Sequence, residues 1–298
     1  MKKPQIPHYH GQRFLLIFLE LLEKKLSKMD FQKLLFLSQQ ETDCAYYDFV
    51  PYFYGCYSFQ AQADIDLLES AGWLETTETS MQLLEKPSIG LIGNEREIVS
   101  RFVKKYQDYR GKELIRHVYE SHPYYAIHSM MAKDVLNKQS YEVVVHAEKK
   151  LKSNTKKLFT IGYEGISFEK YINQLICNNV RLLCDVRNNP LSRKFGFSKN
   201  ILARLLPKIG VEYIHLPELG IISANRNHLE AKADYAQLFK TYKKNLPQKK
   251  ESLEMLVGLL AQYNRVALTC FEKQHDSCHR HCISEYIEDT SDIKVVHL

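Results

Sequence analysis

Leu158-Phe-Thr-Ile-Gly-Tyr-Glu-Gly165 is a short apolar run that breaks into polar residues, and Ser167 then caps a helix reaching about Cys177. The same alternation continues outward from that stretch. Val180-Arg-Leu-Leu-Cys-Asp185 reads as a buried strand, followed by a helix from Ser198 to about Lys208. Val211-Glu-Tyr-Ile-His-Leu216 is a third strand, and two helices fill about Lys232–Asn245 and Lys249–Tyr263. Val266-Ala-Leu-Thr-Cys270 is a fourth strand, a last helix starts near Cys278, and Ile293-Lys-Val-Val-His297 closes the chain. Strands alternating with helices predict βαβ units and a parallel, Rossmann-like sheet.

Upstream, Lys149-Lys-Leu-Lys-Ser-Asn-Thr-Lys-Lys157 is polar and basic, and the domain boundary falls inside it. The expected domains are 1–150 and 157–298. Phe14, Leu15, Phe18, Leu19 and Leu22 recur at helical spacing, and Asp30 is the expected N-cap of a second helix through Phe31, Leu34, Leu35 and Leu37. An aromatic loop, Tyr46 to Ser58, precedes a helix from Phe59 to Ala71 and a β-hairpin after Gly72. The order helix, helix, loop, helix, hairpin is that of a winged helix-turn-helix. The expected fold class is therefore α/β, a Rossmann-like parallel-sheet domain preceded by a mostly α, winged-helix-like domain.

Composition narrows the classes of function. The 298 residues carry a net charge of +6, which fits a nucleic-acid or phosphate partner without requiring one. Arg96, Arg101, Lys104, Lys105, Arg110, Lys112, Arg116 and His117 recur through two helices after residue 94, a basic face that could meet phosphates. No apolar run is long enough for a bilayer, and Met1-Lys-Lys-Pro-Gln-Ile-Pro-His8 lacks the apolar region of a signal peptide. Seven cysteines form an odd set, so reduced thiols in a cytoplasm are expected, and a homo-oligomer is left open.

In an open α/β sheet, ligands bind beyond the carboxyl ends of the strands. Candidate ligand-binding residues there are Tyr163, Glu164, Arg187, Ser192, Arg193, His279 and Arg280; candidate catalytic residues are Asp185, Glu218, Glu272 and Cys278. Arg187 and Arg193 could grip one carboxylate or phosphate by paired hydrogen bonds, or Asp185 and Arg187 could simply fix the loop. Glu218 and Glu272 could divide into acid and base, or either could pair with an arginine without turnover. Cys278, at the opening of a helix, is a nucleophile with a lowered pKa, a packing thiol, or one ligand of a zinc set with Cys270, Cys282 and a histidine. That zinc spacing lacks a Cys-x-x-Cys pair, so no metal is assigned. Without Gly-x-Gly-x-x-Gly or Walker A, no nicotinamide or ATP cofactor is expected.

Thr-Ile-Gly-Tyr-Glu-Gly at 160–165, Asp-Val-Arg-x-x-Pro-x-Ser-Arg at 185–193, His-Leu-Pro-Glu-Leu-Gly at 215–220, and Cys-x-Glu then Cys-His-Arg at 270–280 resemble the domain-of-unknown-function-488 family. That resemblance implies a Rossmann-like fold and no settled activity. Phe31-Gln-Lys-Leu-Leu-Phe-Leu37, Phe49-Val-Pro-Tyr-Phe-Tyr-Gly55 and Leu67-Leu-Glu-Ser-Ala-Gly-Trp-Leu74 resemble the winged-helix modules of the Panacea or SocA-like antitoxin group, which implies DNA binding or protein contacts. The resulting expectation is a nucleic-acid-associated protein, DNA favoured, whose α/β domain binds and processes a nucleotide, base or phosphorylated ligand, through N-glycosidic or phosphate-ester chemistry. The alternatives are a ligand-sensing DNA-binding regulator and a partner-binding module of defence or antitoxin type.

Overall fold

A computed structural model describes residues 4–22, 25–222 and 232–298. Helix α1 (His10–Leu22) buries the expected Phe14, Leu15, Phe18, Leu19 and Leu22, and Leu16 and Ile17 as well, so it is covered on more than one face. Strand β1 (Leu26–Ser27) leads into α2 (Lys28–Glu41), whose cap is Ser27, not Asp30: the Ser27 hydroxyl accepts from Asp30 N at 2.9 Å. Asp30 lies one turn in, where its carboxylate accepts from Gly111 N at 2.8 Å. Both residue types cap helices, and the tertiary contact decides between them.

The aromatic segment is not all loop. Strands β2 (Val50–Tyr52) and β3 (Gly55–Tyr57) form an antiparallel hairpin. Gly55 turns it with φ +92°, and a Cβ there would stand 2.4 Å from the Tyr119 ring, so the position needs glycine twice over. Tyr47 and Phe49 join the buried core of this half of the chain, while Tyr52 stacks on Phe53 with centroids 4.4 Å apart. Helix α3 (Phe59–Ser70) is followed by β4 (Leu74–Thr76) and β5 (Ser80–Leu83), which pair antiparallel, and β5 also pairs with β1. Helices α4 (Glu95–Lys105), α5 (Gly111–Ser121), α6 (Ala132–Val135) and α7 (Lys138–Leu151) complete a mostly helical region.

The chain divides into two compact units, Met1–Lys150 and Leu151–Leu298. The second begins with β6 (Lys157–Gly162), α8 (Phe168–Cys177), β7 (Leu182–Asp185), α9 (Lys199–Leu205) and β8 (Glu212–His215). Helices α10 (Lys232–Asn245) and α11 (Lys250–Tyr263), strand β9 (Arg265–Cys270), α12 (Arg280–Thr290) and β10 (Lys294–His297) follow. The five strands form one all-parallel sheet in the order β10-β6-β9-β7-β8. Its inner strands are apolar almost throughout because both faces are covered.

Strand order fixes which helix covers which face. The connections from β6 to β7 and from β7 to β8 run one way across the sheet, and those from β8 to β9 and from β9 to β10 run back. Right-handed crossovers then place α8 and α9 on one face and α10, α11 and α12 on the other. On that second face, Leu158, Cys184, Val266 and Leu268 pack with Leu253, Leu256, Leu260, Ile283 and Ile287. β9 is flanked on both sides by strands whose following connections leave toward the opposite face, so its carboxyl end is where a crevice opens. No helix among the described residues is long and apolar enough to cross a membrane.

Candidate functional site

Register sets the strand ends in one row. Gly162 pairs with Cys270, Thr269 with Asp185, and Asp185 with His215. Side chains alternate along a strand while register partners share a face, so consecutive residues at a strand end serve opposite faces. Thr269 faces α8, where it accepts a hydrogen bond from Tyr171 Oη at 2.8 Å, and Cys270 faces the α10–α12 side.

On the α8 face the chain builds a closed polar brace. Asp185 is fully buried. Its Oδ1 accepts from Arg187 N at 3.1 Å and Nε at 2.8 Å; its Oδ2 accepts from Arg187 Nη2 at 2.5 Å and Tyr213 Oη at 2.7 Å. Arg187 Nη1 donates to Tyr163 Oη and to the Phe197 carbonyl, and Tyr163 stacks on Phe197 with centroids 4.3 Å apart. His215 Nε2 donates to the Arg187 carbonyl at 2.8 Å. Burial opposes the Arg187 charge, and the hydrogen bonds and charge of Asp185 more than offset it, leaving its pKa above the ordinary value. Burial and then Asp185 push the Tyr213 pKa up. The expectation that Arg187 grips an external anion is therefore corrected: its guanidinium is spent inside the protein, with Asp185, a carboxylate that has no room for acid–base work. Tyr163 is likewise a brace element, 3 % exposed.

On the other face a different set collects. Cys270 Sγ donates to Glu272 Oε2 at 3.2 Å and lies 3.8 Å from His279 Nδ1; Cys278 Sγ lies 3.8 Å from the same nitrogen. His279 Nε2 donates to the Val186 carbonyl at 3.0 Å. Because a carbonyl can only accept, Nε2 carries a proton, and Nδ1 is the ring nitrogen turned toward both sulfurs. Cys270, Cys278 and His279 are each 1 % exposed. Their ligand atoms lie within 4.8 Å of one another, a spacing at which they could share a metal ion. A hydrogen bond from Cys278 holds the Cys270 pKa well below ordinary against the effect of burial. Burial, and then the bond to Cys270, push Cys278 well up. Of the readings open for Cys278, its burial agrees with a packing thiol. Helix α12 begins at Arg280 with His279 as its cap, so Cys278 lies just ahead of the helix. Burial and then Cys270 raise the Glu272 pKa.

Two adjoining clefts flank this cluster and share Ile221. One, of about 220 Å³, is lined by Tyr163, Arg187, Asn188, Asn189, Cys270 and Phe271; the other, of about 140 Å³, by Tyr235, Phe239, Glu272, Ser277, Cys278 and His279. Glu272 reaches its cleft; Glu218 does not. Glu218 follows β8 at the sheet edge, is exposed, and lines neither cleft, so the two carboxylates do not form a pair. Arg280 is fully buried, with Nη1 and Nη2 donating to the carbonyls of Glu272 and Lys273, and so shapes the loop after β9. Gly162 makes room for it: a Cβ there would stand 1.8 Å from the Glu272 carbonyl oxygen. Glu164 accepts from Lys273 N at 3.0 Å and ties the same loop to β6. Ser192 accepts from Lys194 N at 3.1 Å within its own turn, and Arg193 is exposed.

Sequence reasoning omitted Tyr213 and Phe271 and gave Cys270 only a place in a zinc set with Cys282. Cys282 instead lies 3.3 Å from His281 Nε2. Tyr213 was findable, since it sits two residues before His215 and so shares its face. In the first unit, Arg96 pairs with Glu20, Lys105 with Glu41, Arg110 binds the carbonyls of Tyr106 and Tyr109, and Arg116 that of Val135. His117 Nε2 meets Tyr106 Oη at 3.3 Å, so five of the eight residues of the expected basic face are engaged within the protein, and Arg101, Lys104 and Lys112 are exposed cations.

Residues 167–287 match the family model described as Domain of unknown function DUF488, in agreement with the resemblance of the C-terminal part. No curated protein matches the chain.

Proposed function

We propose that the C-terminal α/β domain binds a nucleotide, base or phosphorylated small ligand in the paired clefts at the carboxyl end of β9, and processes it with Glu272 as general acid–base. One observation carries this reading: Glu272 is the carboxylate that reaches a strand-end cleft, and its surroundings raise its pKa toward the range useful for proton transfer. The adjoining cleft adds what a nucleobase asks for. Phe271, 44 % exposed, offers a ring face, and Asn188 and Asn189 offer amide donors and acceptors. Cleavage of an N-glycosidic bond or a phosphate ester needs a proton delivered to the leaving group, the role given to Glu272. The test is Glu272→Gln in the full chain: turnover of a bound nucleoside or nucleotide should be abolished while affinity is kept. Ligand binding with no turnover by either protein would make the domain a sensor.

The first unit has the helix order of a winged helix, and its exposed cations Arg101, Lys104 and Lys112 are where we place a nucleic-acid contact. Replacing all three should flatten the salt dependence of DNA binding by the full chain. One observation favours a second reading for this unit, a protein partner. Helix α3, the groove-reading helix of such a module, holds Asp64, Asp66 and Glu69 and no Lys or Arg, and Leu67 on it is 59 % exposed. DNA binding absent at low salt would leave that reading standing. The seven cysteines, none of them in a disulfide, suit the reducing cytoplasm in which we place the protein.

A further inference from the structure

The cluster on the α10–α12 face is over-equipped for packing. Two thiols and an imidazole, all nearly inaccessible, converge from the end of β9 and the turn before α12. His279 Nδ1 offers one hydrogen-bonding site in the ring plane, yet two sulfurs stand 3.8 Å from it on separate chain segments. Nδ1 has a single in-plane site and can bond one sulfur at most, Cys270 Sγ already reaches Glu272 Oε2, and 3.8 Å is long for either sulfur–nitrogen bond. A single cation among the three atoms would satisfy all of them.

The distances agree with that. A tetrahedral zinc ion with Zn–S near 2.3 Å and Zn–N near 2.0–2.1 Å places S and N about 3.6 Å apart and two S atoms about 3.8 Å apart. Both observed S···N separations are 3.8 Å, and all three ligand atoms fall within 4.8 Å of one another, so a small inward movement of each donor closes the shell. The outer support is also in place. A metal-binding histidine ordinarily donates its other N–H to a carbonyl or carboxylate, fixing ring orientation and tautomer; His279 Nε2 does so to the Val186 carbonyl at 3.0 Å. Tyr242 packs edge-on against the imidazole with centroids 5.6 Å apart.

We propose that Cys270 Sγ, Cys278 Sγ and His279 Nδ1 bind a zinc ion, with the fourth position directed to the cleft that Glu272 lines. Two thiolates and one imidazole are a donor set that selects zinc over magnesium or calcium. Three protein ligands with an open fourth position are the pattern of catalytic rather than structural zinc. Glu272, whose Oε2 is 3.2 Å from Cys270 Sγ, can close that position itself or take a proton from a water bound there. Binding releases the thiol protons to solvent and changes no oxidation state. Cys282, 3.3 Å from His281 Nε2, lies outside the set. The site stands on its own geometry; only the use of its fourth position rests on the function proposed for Glu272.

The experiment measures metal in the full chain, purified under a non-chelating reductant, and then follows Co²⁺ added after zinc removal. The expected result is about one zinc per chain and, with Co²⁺, the intense visible bands and near-ultraviolet thiolate charge transfer of a tetrahedral two-thiolate site. Zinc affinity should fall at least about tenfold in Cys270→Ser, Cys278→Ser and His279→Gln and stay unchanged in Cys282→Ser. The cobalt spectrum of the unaltered protein keeps the test open even where a variant fails to fold. A zinc-free protein that shows no thiolate–cobalt band overturns the proposal. So does a Cys270–Cys278 disulfide recovered after alkylation of the reductant-handled protein, or zinc affinity that is unchanged in Cys270→Ser. Zinc bound by a protein with no nucleotide affinity would remove the function proposed above and leave the site intact; nucleotide turnover by a protein that cannot take up zinc would do the reverse.

Discussion

Two constellations stand side by side at the carboxyl edge of one sheet, and their residue types alone would rank them wrongly. The Asp185–Arg187 loop has the chemistry usually sought in a site, yet its donors and acceptors close on one another through Tyr163, Tyr213 and Phe197. The Cys270–Cys278–His279 set looks like packing, yet it turns two sulfurs toward one ring nitrogen, each 3.8 Å away, beside a cleft. They face opposite sides of the sheet because Thr269 and Cys270 are consecutive in a strand. What separates a frame from a reactive centre here is whether its polar atoms are satisfied internally.

The largest expected effect breaks the frame. Asp185→Ala strands a buried guanidinium, and removing one partner of such a pair costs about 3–5 kcal/mol. Urea denaturation should show the C-terminal unit losing that much; a loss below about 1 kcal/mol would mean that Asp185 and Arg187 are not a brace. Gly162→Ala tests the join between frame and cluster. Its Cβ would collide with the Glu272 carbonyl, a backbone atom, so the loop must shift, at about 1–3 kcal/mol. The variant should lose stability and any Glu272-dependent turnover together.

The smallest effect concerns the far anchor of the same loop. His275 stacks on His297 with centroids 3.7 Å apart, and His297 Nδ1 meets Thr160 Oγ1 at 2.8 Å. Burial, followed by His275 and Arg280, holds the His297 pKa below its ordinary 6.5. The unfolded chain therefore binds that proton first, so the stability is whole above pH 6.5 and is lost as pH falls below it. The ring is well exposed, so solvent screening keeps the effect under about 1 kcal/mol. Between pH 7 and 5 the midpoint of unfolding should fall slightly further in the natural protein than in His297→Phe; identical profiles would contradict this assignment.

The parallel sheet was legible because period and length agree in every segment: Leu158–Ile161, Leu182–Asp185 and Val266–Cys270 are too short for helices and too apolar for loops. The brace was legible only as an ambiguity. An arginine two residues from an aspartate says that they meet, while Tyr163 and Phe197, which complete the closure, come from other segments. Asp30 was assigned a helix-terminal role, but Ser27 takes the cap expected of it, while the last helix starts near Cys278 as expected, at Arg280. Glu218 and Glu272 both follow strands, and sequence spacing cannot say that one ends at the exposed sheet edge and the other at the crevice.

The most direct test of the central claim is a thermal-shift titration of the full chain with nucleosides, nucleotides and modified bases, run beside Phe271→Ala. At a hundredfold excess over Kd, a ligand of the folded state contributes about 2.7 kcal/mol. The account predicts at least one member of the panel that raises the unfolding midpoint in the natural protein and raises it far less in the variant. A panel that shifts neither protein, or a ligand that shifts both equally, would contradict it.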